Sequence, residues 1–285
     1  MALRVNYNYE SISAQRNLSQ TQGSFFKAIE QLSSGMRINK ASDDAAGLAV
    51  SEKLKNQVRG LNQAQRNGQD AISLLQVAEG TLGETHSLLA RMRELSIQSA
   101  NDTLTASDRL HVQAEVDQLL SEVDRIARAT HFNGKQLLTG SSVALVFHVG
   151  ANTGESVSLA GTALNAMASA LGPGAVTITG LGTGSVASVS FQTSANAAIS
   201  QLDAAIEQVS TQRGLIGAMQ NRLASAVNSL GVASENMGAA NSRIRDADVA
   251  QAVSEMVRTQ ILQQSTMAVL AQANQAPQMA LQLLK

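Results

Sequence analysis

The side chains best suited to chemistry in this chain are four histidines, His86, His111, His131 and His148, a scatter of carboxylates, and many Ser and Thr hydroxyls. A zinc site on a helix needs imidazoles one turn apart with a carboxylate beside them. No His-Glu-x-x-His or comparable spacing occurs, so the histidines read as surface or packing residues. Cys is absent, which removes thiol nucleophiles, thiolate metal sites and disulfides. Gly180-Leu-Gly-Thr-Gly-Ser185 has the glycine density of a phosphate-cradling loop. It lacks the Lys and the strand–loop–helix setting, and reads as a flexible turn. Ser42 is expected to cap a helix with Asp43 and Asp44 in its first turn, and Asp246 and Asp248 fall at another helix start. No nucleophile–base pair or metal constellation is readable. An enzyme is the least favoured class, and no cofactor is implied.

The elements that carry these residues are helices of unusual length. Stepping +3, +4 from Ile199 gives Ile199, Leu202, Ile206, Val209, Ile216, Leu223, Val227 and Leu230, with Arg213, Gln220, Ser234 and Asn241 as polar interruptions that fix register. A sustained 3.5-residue repeat marks a helix whose apolar seam follows a partner. Roughly fifty residues at 1.5 Å each make a rod of about 75 Å, so the sequence predicts an elongated molecule. Two Pro, two Tyr, five Phe and no Trp suit helical rods better than a globular enzyme core. A net charge of −1 gives no general attraction to nucleic acid or anionic membrane.

Earlier in the chain, Ala14, Leu18, Thr21, Phe25, Ala28 and Leu32 form a heptad stripe that stops near Ser34-Gly35. A helix to about Ser99 carries Leu54, Val58, Leu61, Ile72, Leu75, Ala78, Leu82, Leu89 and Met92; its glycines 60, 68, 80 and 83 mark close approach or bends. Thr105-x-x-Asp108 resembles a capping pair for the next helix. Between Gln136 and Leu202 the only formal charge is Glu155, and short β-type runs at Val143–Val149, Glu155–Leu159, Ala175–Thr179 and Val186–Phe191 predict a small hairpin region. The last helix carries Val249, Val253, Met256, Ile261, Met267, Leu270, Leu281 and Leu284, with a kink expected at Pro277. From Thr259 to Leu284 it has no ionised side chain, yet its Gln and Asn residues make it too polar to span a membrane. The N-terminus lacks the apolar region of a secretory signal.

Each end is therefore an apolar-striped helix joined to a longer one. Pairing the two ends with each other leaves a broad apolar face, and other copies must cover it. A head-to-tail contact that does not close generates a helical filament. The isolated end helices are expected to be disordered before assembly.

Gln31-Leu-Ser-Ser-Gly-Met-Arg-Ile-Asn39, Ser42-Asp-Asp-Ala-Ala-Gly-Leu-Ala-Val50, Arg91-Met-Arg-Glu-Leu-Ser-Ile-Gln-Ser-Ala-Asn101, Thr130-His-Phe-Asn-Gly134 and Val149-Gly-Ala-Asn152 resemble the N-terminal signatures of bacterial flagellin. Ala204–Arg222, Asn241–Asp248 and Val269-Leu-Ala-Gln-Ala-Asn-Gln-Ala-Pro277 resemble its C-terminal ones. The resemblance implies a secreted structural subunit of the extracellular flagellar filament, exported unfolded by the flagellar type III apparatus without a cleaved signal peptide. It implies a mainly α fold, a long coiled-coil-like bundle with a small β-hairpin region, whose two ends pair as helices in the filament core. The division expected is residues 1–42 (inner D0 helix and linker), 43–140 (D1 helices), 141–193 (hairpin and short variable region), 194–246 (D1 helix) and 247–285 (D0 helix). Little is left over for the outer D2 and D3 domains. Leu18, Phe25, Leu32, Met267, Leu270, Leu281 and Leu284 would pack the filament core. The implied partners are further copies of the chain, an export chaperone, the filament cap and hook-associated proteins. By the same resemblance, the vertebrate Toll-like receptor for flagellin would read Arg91, Leu95 and Glu115, with Glu94 beside them; the residues alone describe Arg91 and Glu94 as a solvated i,i+3 pair. O-linked sugars on the Ser/Thr-rich hairpin are a further implication. A hook–filament junction protein, and a surface adhesin or glycan-binding rod, are the alternative readings.

Overall fold

The computed structural model describes residues 8–140, 144–160, 164–167, 171 and 192–283. Five helices carry most of them: α1 (Tyr9–Ser34), α2 (Ala45–Ser99), α3 (Ala106–Ala129), α4 (Gln192–Arg245) and α5 (Val249–Leu283). Four short strands complete the set: β1 (His131–Phe132), β2 (Lys135–Gln136), β3 (Leu145–His148) and β4 (Ser156–Leu159). The fold is mainly α with small antiparallel strand pairs, as the sequence predicts. The chain divides into two compact units, Met1–Val58 with Glu235–Lys285, and Arg59–Ser234.

The core of the unit Arg59–Ser234 is aliphatic. Leu75, Leu82, Leu89, Met92 and Leu95 of α2, Val116 and Val123 of α3, and Leu202, Val209, Ile216 and Leu223 of α4 are buried together. Their spacing of three and four puts them on one stripe per helix, and each contributes about 1.5–3 kcal/mol by leaving water. Polar rungs tie α2 to α4: Arg93 donates to Asp203, Gln220 Nε2 to Glu79 at 3.1 Å, and Ser234 Oγ to Asn62 at 2.7 Å. Residue numbers fall along α2 as they rise along α4, so the two helices run antiparallel.

The α4 seam differs from the sequence expectation in one column. Leu202, Val209, Ile216 and Leu223 are buried as expected, while Ile199, Ile206, Val227 and Leu230 are only half-buried. The second buried column is Ala198, Ala205 and Gln212, each one residue before the expected position, and Arg213 is exposed. Small side chains let neighbouring elements approach and so take the deepest places, leaving the branched Ile side chains on the flank. The polar residue in the seam is thus Gln212, whose Nε2 donates to the Asn165 carbonyl at 2.9 Å.

Two hairpins cap this unit. Asn133 and Gly134, both at positive φ (49° and 77°), make the two-residue turn between β1 and β2. This is the backbone twist that antiparallel strands favour, and Asn-Gly is its sequence signature. The sequence analysis took these residues only as the place where composition changes. β3 and β4 pair from Leu145↔Leu159 to His148↔Ser156, inside two of the predicted β-type runs. Val157 and Leu159 point into the core while Ser156 and Ser158 stay exposed. The predicted runs Ala175–Thr179 and Val186–Phe191, and the loop Gly180–Ser185, lie outside the described residues. The α3 cap is the expected one: Thr105 and Asp108 each bond the other's backbone N–H. Pro277 does not interrupt α5, which runs through it to Leu283.

Gly68 is a glycine of α2 whose missing side chain makes room for another helix. A Cβ there would lie 2.6 Å from Val227 Cγ2 on α4. Gly68→Ala is expected to destabilise the chain by about 1–3 kcal/mol through overpacking. Adding Val227→Ala should recover part of that loss, and urea unfolding of the two variants measures both.

Candidate assembly interface

In the unit Met1–Val58 with Glu235–Lys285, α1 and α5 lie antiparallel. They are the one helix pair among the described residues with a run of Cα atoms within 8 Å of each other. Asn8 caps α1 through the Ser11 N–H (3.0 Å) and also donates from Nδ2 to the Ala273 carbonyl at 2.8 Å. Ser11 Oγ meets Asn274 at 2.9 Å. At the other end Gly35, at φ 68°, turns the chain into a linker. Met36 and Asp246 form an antiparallel bridge there, with Arg37 N donating to Arg245 O (2.7 Å) and Ala247 N to Gly35 O (2.9 Å). Both linkers are therefore pinned at one place.

The residues buried between α1 and α5 are small: Ala14, Ala28, Ala252, Thr259 and Ala273. Thr259 turns its hydroxyl back to the Glu255 carbonyl at 2.8 Å, so it brings no unpaired polar group into the seam. Leu18, Phe25, Leu32 and Leu270, expected to pack the filament core against other copies, are half-buried in the single chain. Met267, expected with them, is 55% exposed. The side chains of Leu281 and Leu284 lie outside the described residues.

The most apolar stripe of α5 faces away from α1. Val249, Val253, Val257 and Ile261 follow one another every fourth residue and so share a face; the outermost two are 56% and 59% exposed. Leu262, Met267 and Val269 extend the exposed apolar surface, and Phe26 of α1 is 66% exposed. Exposed apolar side chains gathered on one helix in this way commonly mark an interaction surface. Both end helices are formed and paired in this structure. The alanine seam lets the backbones close on each other, but the pairing leaves the larger apolar side chains uncovered.

Charge is concentrated at the linker between α1 and α2. Asp43 accepts from Lys27 Nζ (2.9 Å), Lys40 N (3.1 Å) and Asn39 N (3.3 Å). The Lys27 ammonium and these N–H groups hold its carboxyl below 3.8. Lys40 pairs with Glu30 at 2.8 Å, which raises its pKa. The cap of α2 is Asp44, whose Oδ1 accepts from Gly47 N at 2.8 Å, not Ser42. Asp44 immediately precedes the first helical residue, and its carboxylate reaches the third helical N–H. Asp248 caps α5 through Ala250 N (2.9 Å) and Gln251 N (3.2 Å). A cavity of about 260 Å³ lies beside it, lined by Gln31, Arg37, Asp248, Gln251 and Glu255 among others. Asp248 is occupied as a cap, Glu255 by Arg258 and Arg37 by the Ile244 carbonyl, so no convergent set faces this space.

In the other unit Arg91 spans two helices, donating to Glu115 of α3 (3.0 Å) and to Glu94 (3.2 Å). These carboxylates raise its pKa, and all three side chains are exposed. Leu95 is 2% exposed and belongs to the core beneath them. Among the described residues no group of His and carboxylates is placed to hold a metal ion, and no helix is long and apolar enough to cross a membrane.

A helix pair joined through small residues with its apolar stripe turned outward is the geometry of a subunit built to be covered by others. Models of the bacterial flagellin N-terminal and C-terminal helical regions match residues 5–143 and 199–284. Flagellin of Halalkalibacterium halodurans is 46% identical over 283 residues, 99% of each chain. The flagellar filament 33 kDa core protein of Treponema phagedenis is 45% identical over 291 residues, again 99% of each chain. The crystal structure of Bacillus cereus flagellin is 31% identical, covering 58% of this chain and 88% of that one with a TM-score of 0.47. The chain belongs to the bacterial flagellin family and is a structural subunit of the extracellular flagellar filament.

The Asp43 contacts give the linker a pH dependence of defined sign. The folded carboxyl titrates below its unfolded value, so its stabilisation is fully present above about pH 5 and is lost as pH falls through the lowered folded value. Lys40 acts at the other end: its contribution is present below its ordinary value of 10.5 and is lost as pH rises through the raised one. Protection of the Asn39 and Lys40 amides, measured against the intrinsic exchange rate at each pH, should fall on acidification in the native chain. Asp43→Asn should flatten that dependence.

Proposed function

We propose that the stripe Val249, Val253, Val257 and Ile261, with Met267 and Val269, is covered by other copies of this chain as the filament assembles. The paired ends, residues 1–42 and 247–285, then form the inner layer, with Leu18, Phe25, Leu32, Leu270, Leu281 and Leu284 packing it alongside Met267. Residues 43–140 and 194–246, with the hairpin region 141–193, form the layer around it. One observation carries this reading: the face that α5 gives to α1 is small and partly polar, while its most apolar face is left open. A stripe of β-branched and Met side chains has nothing to gain from water, and the chain's own fold does not cover it. Export of the unfolded chain by the type III apparatus, and transfer among chaperone, cap and hook-associated proteins, belong to the same reading and rest on family membership.

Val257→Glu with Ile261→Glu tests the surface directly. The variant should keep its helix content and thermal midpoint as a monomer and form no filaments in negative stain, like a chain lacking residues 250–285. Filaments of ordinary length from the double variant would refute the proposal.

We infer that the Arg91, Glu94 and Glu115 surface is what this chain presents to the vertebrate Toll-like receptor, with Leu95 supporting it from below. The trio combines opposite charges on two helices at one exposed place. Arg91→Ala and Glu115→Ala should each lower receptor-driven reporter output while changing monomer stability by no more than about 1 kcal/mol. Leu95→Ala should cost about 2–5 kcal/mol of stability. Unchanged reporter output from both surface variants would exclude this surface.

A further inference from the structure

α2 and α4 each carry a close pair of glycines in mid-helix, Gly80 with Gly83 and Gly214 with Gly217. Glycine in a helix interior is about 1 kcal/mol less favourable than Ala. That deficit is commonly offset where the missing Cβ admits a neighbour, as at Gly68. These four admit none: a Cβ added at any of them would meet nothing within 4 Å.

The two pairs lie at the same height in the unit Arg59–Ser234. The rungs Glu79–Gln220 and Arg93–Asp203 fix how the antiparallel helices align. Following the helices inward from those rungs brings Gly80–Gly83 level with Gly214–Gly217 to within a helical turn. Hydroxyl back-bonds fall at this height too, as they do at Ser73 and Ser96 elsewhere in α2. Hydroxyls of Thr81, Thr85 and Ser87 bond the carbonyls of Val77 (2.8 Å), Thr81 (3.1 Å) and Gly83 (3.2 Å). In α4, Ser210 and Thr211 do the same to Ile206 (2.7 Å) and Glu207 (2.9 Å). Such bonds back to the residue four earlier weaken the helical ladder slightly and favour bending. The aliphatic core at this height stays intact, with Leu82, Leu89 and Ile216 fully buried.

We propose that this height is a flexural joint, where both long helices yield together and the bundle takes up a small bend without opening its core. In the filament, subunits bent to different degrees at this joint set its curvature; that half of the proposal rests on the assembly reading, and the exchange behaviour of the free chain does not.

Amide hydrogen exchange on the free full-length chain tests the joint. Amides of residues 80–87 and 210–217 should exchange about five- to thirtyfold faster than those of 89–96 and 200–207. In G80A/G83A/G214A/G217A every new methyl enters open space, and protection at both segments should rise by a similar factor. Filaments of this variant should show a narrower spread of curvature by electron microscopy. The pairs G80A/G83A and G214A/G217A, made separately, should each slow exchange in both helices, because the two yield as one. Equal protection across these segments in the native chain would overturn the joint, as would unaltered filament curvature in a variant whose protection has risen. A variant that shows the exchange pattern but forms no filament leaves the joint standing and counts against the assembly reading alone.

Discussion

The constraint on which the rest depends is the size of the side chains between α1 and α5. Ala14, Ala28, Ala252, Thr259 and Ala273 fill that seam, and alanines permit a backbone approach that leucines would prevent. Close approach gives many weak dispersion contacts and short cross-helix hydrogen bonds such as Asn8 to Ala273. It also leaves the larger apolar residues no more than half-buried at its flanks. The same choice that lets the two ends find each other therefore dictates that Val249, Val253, Val257 and Ile261 look outward. Cohesion within the subunit and adhesion between subunits are divided between two faces of one helix.

The unit Arg59–Ser234 follows a different rule. Its core is Leu, Ile, Val and Met drawn from three helices and two hairpins, and it satisfies itself. Polar pairs bridge its helices at Glu79–Gln220 and Asn62–Ser234. Pairs of this kind add little energy but penalise a slipped alignment, because each slip strands two polar groups at once. Arg91 does similar work at the surface between α2 and α3, with weaker consequences because water reaches all three partners.

Much of this was legible in the residues. Heptad spacing placed all five helices, and the Thr105–Asp108 box, the Asp248 cap and the Leu145–His148 and Ser156–Leu159 strands followed from local rules. The departures have separate causes. Apolar periodicity ranks residues by how oily they are, whereas burial at a close helix contact ranks them by how small they are. Ile199 and Ile206 were preferred to Ala198 and Ala205 because the repeat counts oily side chains and not depth. Asp44 was passed over for Ser42 because a run of capping residues does not say where the helix begins. The β1–β2 hairpin was missed although Asn133-Gly134 announced it, since strands of two residues carry no periodicity. Leu95 joined a surface motif by resemblance, and only the fold places it beneath the surface rather than on it.

The absence of ionised side chains from Thr259 through Leu283 has a thermodynamic corollary. Contacts made by such a segment contain almost no Coulombic part, so dilute seawater and fresh water look nearly alike to them. Their strength instead follows the hydration of hydrocarbon, which fades on cooling and grows with excluded solutes such as sulfate. A polymer held together this way has cold, not brine, as its natural enemy.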